Sequence, residues 1–326
     1  MTTATPKPRT LITGVDGQIG SELFDYFRDK DGAGQVVGLD LRPPRKPDWQ
    51  QHGHFEVMDA TIRDNLESVI KKYNIRTIYH LVGILSAKGE LDPNLAWHVN
   101  MQSLKHVLDL AAEYNIRVFW PSSIAVFGPT TPRDNTPQET VLEPRTMYGV
   151  TKVAGELLCN YYFHHFNVDV RSLRFPGIIS YKTPPGGGTT DYAVEIFHAA
   201  LQHQHYTCFV SPETTLPMMY MDDAIKSIID LMHAPAEKLS IRTSYNLTGI
   251  SFAARELETE IRKHIPSFHC SYEPDYRQAI ADTWPIRIDD SRAREDWGWQ
   301  HQYDLAGITE AMLSNLREYY EQKHSH

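Results

Sequence analysis

Hydrophobic residues in the first half of the chain follow two periods in turn. Short apolar runs occur at RTLIT (9–13), QVVGLD (35–40), RTIYHLV (76–82), IRVFWPSS (116–123) and VDVRSLRF (168–175). After the first run, apolar residues recur at the helical positions Ile19, Leu23, Phe24 and Phe27, and similar patterns predict helices near 61–73, 93–114 and 148–166. Strands that alternate with helices are typical of right-handed βαβ units. The pattern therefore predicts an α/β fold with a doubly wound parallel sheet.

The pattern changes after Pro176. The prolines and glycines of YKTPPGGGTTDYA (181–193) predict a loop. Beyond it the pieces are shorter, with helices expected near 191–203, 222–233, 251–264 and 304–322 and strands near 206–210 and 243–248. We predict a large domain over 1–176, which also receives segments near 206–250, and a smaller, discontinuous C-terminal lobe over 177–326.

A glycine motif joins the first predicted strand to the first predicted helix. In TLITGVDGQIGSELF the residues Gly14, Gly17 and Gly20 form the pattern TGxxGxxG, and Gln18 and Ile19 open the helix. Glycines at these positions allow a tight turn, close approach of a pyrophosphate, and packing of the helix on the strand. The amides at the helix N-terminus attract phosphates. The motif predicts that the large domain is a Rossmann domain that binds a dinucleotide.

Two acidic residues bear on which dinucleotide is bound. Asp40 ends the second strand, 20 residues after Gly20, where a carboxylate accepts hydrogen bonds from ribose hydroxyls and repels a 2′-phosphate. This favours NAD, although Arg42 is close enough in sequence to receive a 2′-phosphate. Asp59 follows the expected third strand, where it either contacts the adenine or caps the next helix.

Composition excludes several other classes of protein. The net charge is −9, with 32 basic and 41 acidic residues, which argues against a nucleic-acid surface. Three cysteines without paired spacing and scattered histidines indicate neither a disulfide framework nor a metal site. No apolar run approaches the about 18 residues of a membrane span. The N-terminus lacks a signal core, so we expect a cytoplasmic protein or, with a very short presequence, a mitochondrial one.

Three residues have the spacing of a proton-transfer site. Tyr148 and Lys152 are one helical turn apart, and a neighbouring ammonium favours the phenolate of a tyrosine, whose pKa is ordinarily about 10. Ser123 ends a strand at the sheet edge where ligands bind in open α/β folds. Its hydroxyl can hold a substrate oxygen while Tyr148 takes the proton. We predict that these three residues are catalytic.

Together these motifs resemble the extended branch of the short-chain dehydrogenase/reductase superfamily. YHLVGILSAKGE (79–90), PSSIAVFG (121–128), LRFPGIISYKTPPGGGTTDYA (173–193), LPMMYMDDA (216–224) and DTWPIRIDDSRAREDWGW (282–299) further resemble the short-chain L-threonine 3-dehydrogenases. The resemblance implies oxidation of the C3 hydroxyl of L-threonine by NAD, with Tyr148 as base, Lys152 as its tuning cation and ribose anchor, and Ser123 as hydroxyl holder. It also implies a C-terminal lobe that binds the substrate. The implied contacts to NAD include Ala60, Leu81 and Pro176, and those to the amino acid include Ser86, Gly187, Gly188, Thr189 and Trp284.

Two other functions remain open at this stage. A nucleotide-sugar 4-epimerase would use the same fold, and the arginines at 242, 262 and 277 are available to bind a diphosphate. A redox-sensing NAD binder would need neither Tyr148 nor Lys152, and this chain has both. The resemblance also implies a homodimer built from the helices near 93–114 and from Tyr148 onward, with Val153, Leu157, Tyr161 and His164 as a candidate outer face.

Overall fold

The computed structural model describes residues 9–51, 53–186 and 188–324. Its strands are β1 (Arg9–Thr13), β2 (Val36–Asp40), β3 (His54–Val57), β4 (Ile75–His80), β5 (Arg117–Ser123), β6 (Val170–Phe175), β7 (Gly177–Ile179), β8 (His205–Cys208), β9 (Thr215–Tyr220), β10 (Tyr245–Asn246), β11 (Ile250–Ala253) and β12 (His269–Tyr272). Its α-helices are α1 (Gln18–Asp31), α2 (Asp48–Gln51), α3 (Arg63–Tyr73), α4 (Ser86–Leu91), α5 (Pro93–Trp97), α6 (Ser103–Tyr114), α7 (Met147–Phe166), α8 (Tyr192–Gln202), α9 (Met221–His233), α10 (Ala254–His264), α11 (Tyr276–Ala281), α12 (Ser291–Trp297) and α13 (Leu305–His324). A π-helical turn covers His98–Gln102, and 3₁₀ turns cover Ile124–Val126 and Ala236–Lys238.

The largest sheet has seven strands in the order β10-β6-β5-β4-β1-β2-β3. Strand β1 pairs in parallel with β2 on one side and with β4 on the other, and β2–β3 and β4–β5 are also parallel. The chain therefore places β2 and β3 on one side of β1 and then continues with β4 on the other side, so the strand order reverses between β1 and β4. In doubly wound sheets this reversal leaves a crevice at the carboxyl ends of the strands, where ligands bind. The predicted α/β fold is confirmed.

The chain divides into two compact units. The first contains residues 1–122, 146–173 and 231–244, and the second contains residues 123–145, 174–230 and 245–326. The second unit has two small sheets of its own, in the orders β11-β9-β7 and β12-β8. The domain boundary expected at 176 stays a prediction. Among the described residues, no helix has the length and apolar character that crossing a membrane requires.

The core of the first unit lies between the sheet and its helices. Leu11, Val37, Ile78 and Val118 come from the middle strands and are completely buried, as parallel strands covered on both faces must be. Side chains from α3, α6 and α7 pack against them, in agreement with the helical stripes in the sequence. This rigid base fixes the ends of the strands and the helix N-termini that follow them.

An ionic cluster holds the segment 231–244 to the first unit. The carboxylate of Asp169 contacts the guanidinium groups of Arg117, Arg171 and Arg242 at 2.9–3.2 Å. Arg171, whose side chain is 1% exposed, also donates to backbone carbonyls of the segment, including that of Ala234 at 2.7 Å. Burial acts to raise the pKa of Asp169, but the hydrogen bond from Arg171 and the charges of the three arginines outweigh it and hold the pKa below its ordinary value.

The helix predicted over 93–114 is interrupted. Asp92 caps α5 by accepting a hydrogen bond from the Leu95 amide at 2.9 Å, and Pro93 occupies the first turn. A π-helical turn then separates α5 from α6. Such a turn inserts one residue without ending the helix, so the spacing of apolar residues before and after it still looks helical. The strands β7, β9, β11 and β12 were not predicted.

Candidate functional site

The loop after β1 is built so tightly that its glycines are required. Gly14 has a φ of +71°, and a Cβ there would lie 2.9 Å from the backbone of Leu81. A Cβ on Gly20 would lie 2.4 Å from the Gly14 carbonyl oxygen. The Gly14 amide donates to Leu39 O at 2.8 Å, which ties the loop to the end of β2. The loop therefore holds α1 close against the carboxyl ends of the central strands.

The N-terminus of α1 fits a diphosphate. The helix has 14 residues and begins at Gln18, followed by Ile19, with Gly17 as the N-cap. No side chain caps this end, and no acidic residue lies in the first turn. Uncapped amides at a helix N-terminus and the positive end of the helix dipole together attract an anion. Gly17 also keeps side-chain atoms out of the space in front of these amides.

The two acidic residues next to this loop differ in their surroundings. Asp40, the last residue of β2, accepts hydrogen bonds from the amides of Asp16 at 3.1 Å and Leu41 at 2.8 Å. This places its carboxylate beside the glycine loop, where an adenosine ribose would lie. Asp59 Oδ1 accepts from both the amide and the hydroxyl of Thr61, at 2.8 and 2.7 Å. Asp59 thus closes a local turn before α3. The N-cap of α3 is Ile62 and no side chain caps it, so the helix-capping role expected for Asp59 is wrong, and its contact with the adenine stays a prediction.

Two further predicted NAD contacts lie just after the ends of two other strands of this sheet. Ala60 follows β3 and is 5% exposed. Leu81 follows β4, and its amide donates to Thr13 O at 3.0 Å. Both lie at the carboxyl edge of the sheet, on the same side as the glycine loop. Their contact with the cofactor stays a prediction.

The start of α7 is fixed by two caps. The Thr146 hydroxyl accepts a hydrogen bond from the Gly149 amide at 3.1 Å, as an N-cap does. The Met147 amide donates to Glu90 Oε1 of α4 at 2.6 Å. Tyr148 is therefore held in the first turn of a helix whose N-terminal amides are satisfied by side chains.

Lys152 lies in a pocket made by the end of β5. Its side chain donates to Pro121 O at 2.5 Å, and Nζ lies 4.4 Å from the ring centre of Trp120 and 5.4 Å from that of Tyr148. Lys152 is 8% exposed. Burial lowers its pKa to about 7, while Cys159 and Glu156 of the same helix act in the opposite direction. An ammonium next to the Tyr148 ring favours the phenolate form of that tyrosine.

Ser86 and Asn100 approach α7 from other elements of the first unit. Ser86 is the first residue of α4, which packs against α7. Asn100, in the π-helical turn, is 7% exposed. Its amide group exchanges two hydrogen bonds with the backbone of Ile84 and donates to Thr151 Oγ1 at 3.0 Å. It thereby connects the chain after β4 to the residue before Lys152.

The second unit contains the other predicted site residues. Ser123 ends β5, and its hydroxyl accepts a hydrogen bond from the Ala125 amide at 3.2 Å. Pro176 is buried between β6 and β7, Thr189 is 3% exposed, and Trp284 is 7% exposed. The Gly188 amide donates to Asp191 Oδ2 at 2.8 Å. Gly187 lies outside the described residues. Roles of these residues in catalysis or substrate binding stay predictions.

Three residues near Lys152 were missed in the sequence. They are Glu90, Asn100 and Glu156, of which the last is 1% exposed on α7. Charged and amide side chains in a helical pattern are usually exposed, so identity alone gave no reason to place Asn100 and Glu156 inside, whereas Glu90 is exposed. Only the four-residue spacing Tyr148–Lys152–Glu156 was visible as a signal for Glu156.

Known proteins resemble this chain over almost its whole length. The sequence profile of the NAD dependent epimerase/dehydratase family matches residues 10–247. An uncharacterized epimerase/dehydratase of Staphylococcus haemolyticus is 48% identical over 311 residues, which are 95% of this chain and 98% of that protein. The solved structure of an L-threonine dehydrogenase from Cupriavidus necator in its holo form is 52% identical with a TM-score of 0.92, covering 95% of this chain and 100% of that one. The L-threonine dehydrogenase from Phytophthora infestans is 49% identical with a TM-score of 0.92, covering 95% and 99%. The resemblance to L-threonine 3-dehydrogenases is confirmed.

Proposed function

Since this chain belongs to the NAD dependent epimerase/dehydratase family, we propose that it oxidises the C3 hydroxyl of L-threonine to 2-amino-3-oxobutanoate. NAD is its cofactor, in agreement with the family and with the uncapped, acid-free N-terminus of α1. The observation that carries the proposal is the buried Lys152 ammonium beside the Tyr148 ring. Full-length similarity to two L-threonine dehydrogenases supports the choice of substrate.

The residues divide the reaction between them. When bound, NAD supplies the nicotinamide that accepts the hydride from C3 of threonine. Tyr148, as phenolate, accepts the proton of the C3 hydroxyl, so that one hydride and one proton leave the substrate. The charge of Lys152 stabilises the phenolate before this transfer. The hydroxyl of Ser123 holds the substrate oxygen, and Ser86, Gly188, Thr189 and Trp284 contact the amino acid.

The groups that bind the diphosphate and the adenosine ribose do not take part in proton transfer, although Lys152 is also expected to anchor a ribose. The amides after Gly17 bind the diphosphate, and the Asp40 carboxylate accepts from the adenosine ribose. Asp40 would lie close to a 2′-phosphate and would repel it, so NAD is preferred over NADP. Because these groups lie in β1, β2 and α1, changes in Tyr148 are expected to leave NAD affinity almost unaltered.

The test is an assay of NADH formation with L-threonine, D-threonine, L-serine and UDP-glucose. L-threonine should be the preferred substrate, and Tyr148→Phe should reduce its turnover by at least about a hundredfold. Tyr319→Phe is the matched control, since it removes the same hydroxyl from a helical tyrosine that is 46% exposed and lies on α13. Retained turnover in Tyr148→Phe would refute the role of the tyrosine. Binding or epimerisation of the UDP-sugar without oxidation of threonine would favour the nucleotide-sugar epimerase instead.

We also propose that the protein is a homodimer that pairs through α7. Val150, Leu157 and Tyr161 are 40%, 60% and 48% exposed and recur at helical spacing along this helix. Leu95 and Trp97 on α5, which packs against α7, are each 48% exposed. Several exposed apolar side chains on two helices that pack together are typical of an interface. Two copies of the same surface would cover one another in a twofold dimer.

A further inference from the structure

A third side chain lies in line with Tyr148 and Lys152. The three residues Tyr148, Lys152 and Glu156 are spaced four apart on α7, so they occupy one face of the helix. We propose that Glu156 is a positioning residue, whose carboxylate keeps Lys152 in its ammonium form and so sets the pH range in which Tyr148 accepts a proton. This inference rests on the proposed function of Tyr148 as the base.

Glu156 is buried and accepts a short hydrogen bond. Ser122 Oγ donates to Glu156 Oε1 at 2.6 Å. O–H···O contacts of 2.5–2.7 Å are typical of a hydroxyl that donates to a carboxylate. The carboxylate is 1% exposed and Ser122 is 2% exposed, so water does not screen its charge. A buried carboxylate is costly unless a cation or hydrogen bonds compensate for it.

The neighbouring Lys152 is a buried cation, which a negative charge stabilises. Burial lowers the pKa of its ammonium to about 7, a value that already includes the opposing effect of nearby negative charge, so loss of that charge would lower the pKa further. Of the two groups that oppose the effect of burial, Cys159 does not supply the charge, because burial raises the pKa of its thiol. Glu156 is the remaining one.

Groups on the neighbouring elements do not replace Glu156. His80 of β4 is buried between Thr13 and Ser103, and burial together with the charge of Lys152 lowers its pKa to about 3, so it is neutral. The helical elements that pack against α7 carry other charged or titratable side chains. These are Lys88 and Glu90 on α4, His98 on the π-helical turn, and Lys105, His106, Asp109 and Glu113 on α6.

The acids among them are engaged elsewhere. Glu90 accepts from the Met147 amide, and Asp109 accepts from Lys105 at 2.7 Å and from the Tyr162 hydroxyl. Glu113 lies at the far end of α6 and pairs with Arg63 at 2.6 Å. None of these contacts involves Lys152, so the charge of Glu156 acts on Lys152 without competition from them.

Glu156→Gln tests the inference, since it removes the charge and keeps the shape and an acceptor for Ser122. Without the charge, Lys152 loses its proton at a lower pH, and the Tyr148 phenolate then forms only at a higher pH. The acid limb of the pH profile of kcat/KM should move up by about one pH unit, which is a loss of about tenfold at neutral pH with recovery at alkaline pH. Glu156→Asp, which restores the charge, should return the limb towards that of the parent.

A second readout does not depend on turnover. In the cofactor-free enzyme, the phenolate absorbance of the parent minus that of Tyr148→Phe reports the ionisation of Tyr148. When both proteins also carry Glu156→Gln, the corresponding difference in phenolate absorbance should appear at a higher pH. If threonine is not oxidised but this titration shifts, the proposed substrate is wrong and the role of Glu156 stands.

Glu113→Gln is the matched control, because it also removes one negative charge from a helix of the first unit, at a residue that is paired with Arg63 on the surface. It should leave both readouts unchanged. Equal shifts in Glu113→Gln and Glu156→Gln would attribute the effect to net charge and overturn the inference. An activity loss in Glu156→Gln that is the same at every pH, with no shift in the phenolate titration, would also overturn it. Thermal melting of each variant separates these outcomes from loss of the fold.

Discussion

Gly155 lies where α7 touches the pocket of Lys152, and its replacement by alanine should damage both stability and activity. A Cβ at this position would lie 2.4 and 2.6 Å from two ring atoms of Trp120 and 3.2 Å from a methyl carbon of Leu104. Trp120 is 3% exposed, so its ring has little space into which it can move. Overpacking of this kind costs about 1–3 kcal/mol, and alanine regains about 1 kcal/mol as a better helix former. We therefore expect a net loss of up to about 2 kcal/mol in the free energy of unfolding.

The same displacement reaches the site, because the Trp120 ring lies 4.4 Å from Lys152 Nζ. A shift of about 1 Å in a positioned group can cost on the order of a hundredfold in rate, so Gly155→Ala should reduce kcat by ten- to a hundredfold. Urea unfolding followed by circular dichroism and the NADH assay measure the two effects.

Gly89→Ala is the matched control, since a Cβ there meets Ala96 at 3.5 Å and Tyr148 N at 4.0 Å, which are ordinary contacts. It should stabilise the protein by a few tenths of a kcal/mol to about 1 kcal/mol. If Gly155→Ala were as stable and as active as Gly89→Ala, the tight packing of Trp120 against α7 would be refuted.

Three further changes test other parts of the molecule. Asp40→Asn should reduce the preference for NAD over NADP by about tenfold or more, as measured by the ratio of kcat/KM for the two cofactors. Asp169→Asn should lower the free energy of unfolding by about 2–3 kcal/mol at neutral pH, as it leaves Arg171 without its counter-charge. Folding lowers the pKa of Asp169 below its ordinary value, so the difference in free energy of unfolding between the parent and Asp169→Asn is fully present above about pH 4. It shrinks as the pH falls through the pKa of Asp169 in the folded protein. Urea unfolding at several pH values measures this change. Leu157→Asp should give a monomer in sedimentation experiments, whereas Leu41→Asp, at a residue 63% exposed, should not alter the oligomeric state.

Much of the first unit could be predicted because its local signals agree. RTLIT and the stripe of Ile19, Leu23, Phe24 and Phe27 predict β1 and α1, and the glycines between them allow only a tight connection. In a parallel α/β sheet the carboxyl ends of the strands lie at one edge. Once β2 is predicted, Asp40, as its last residue, is therefore placed at the edge where the glycine loop lies. The fold and NAD as cofactor were predictable for this reason.

The site residues that could not be predicted are those whose role depends on whether a side chain is buried or on a helical register that shifts by one residue. The spacing of Tyr148, Lys152 and Glu156 is visible, but a glutamate on a helix usually faces water, and only the structure shows Glu156 next to Ser122. The role of Asp59 was left open because its carboxylate can serve a turn or a ligand equally well. Asn100 was missed because the apolar residues on each side of the π-helical turn have helical spacing, so the pattern does not reveal the turn.

The one residue that the π-helical turn inserts makes the length of the chain between β4 and β5 as important as its composition. In a regular α-helix each residue is rotated by about 100° from the one before, so deletion of any one residue within His98–Gln102 would turn everything on one side of the deletion by that angle. The backbone would gain regular hydrogen bonds, while Asn100 would be turned away from Ile84 or from Thr151. Scanning substitutions cannot reveal this dependence, whereas a single-residue deletion would separate a well-folded helix from a working one.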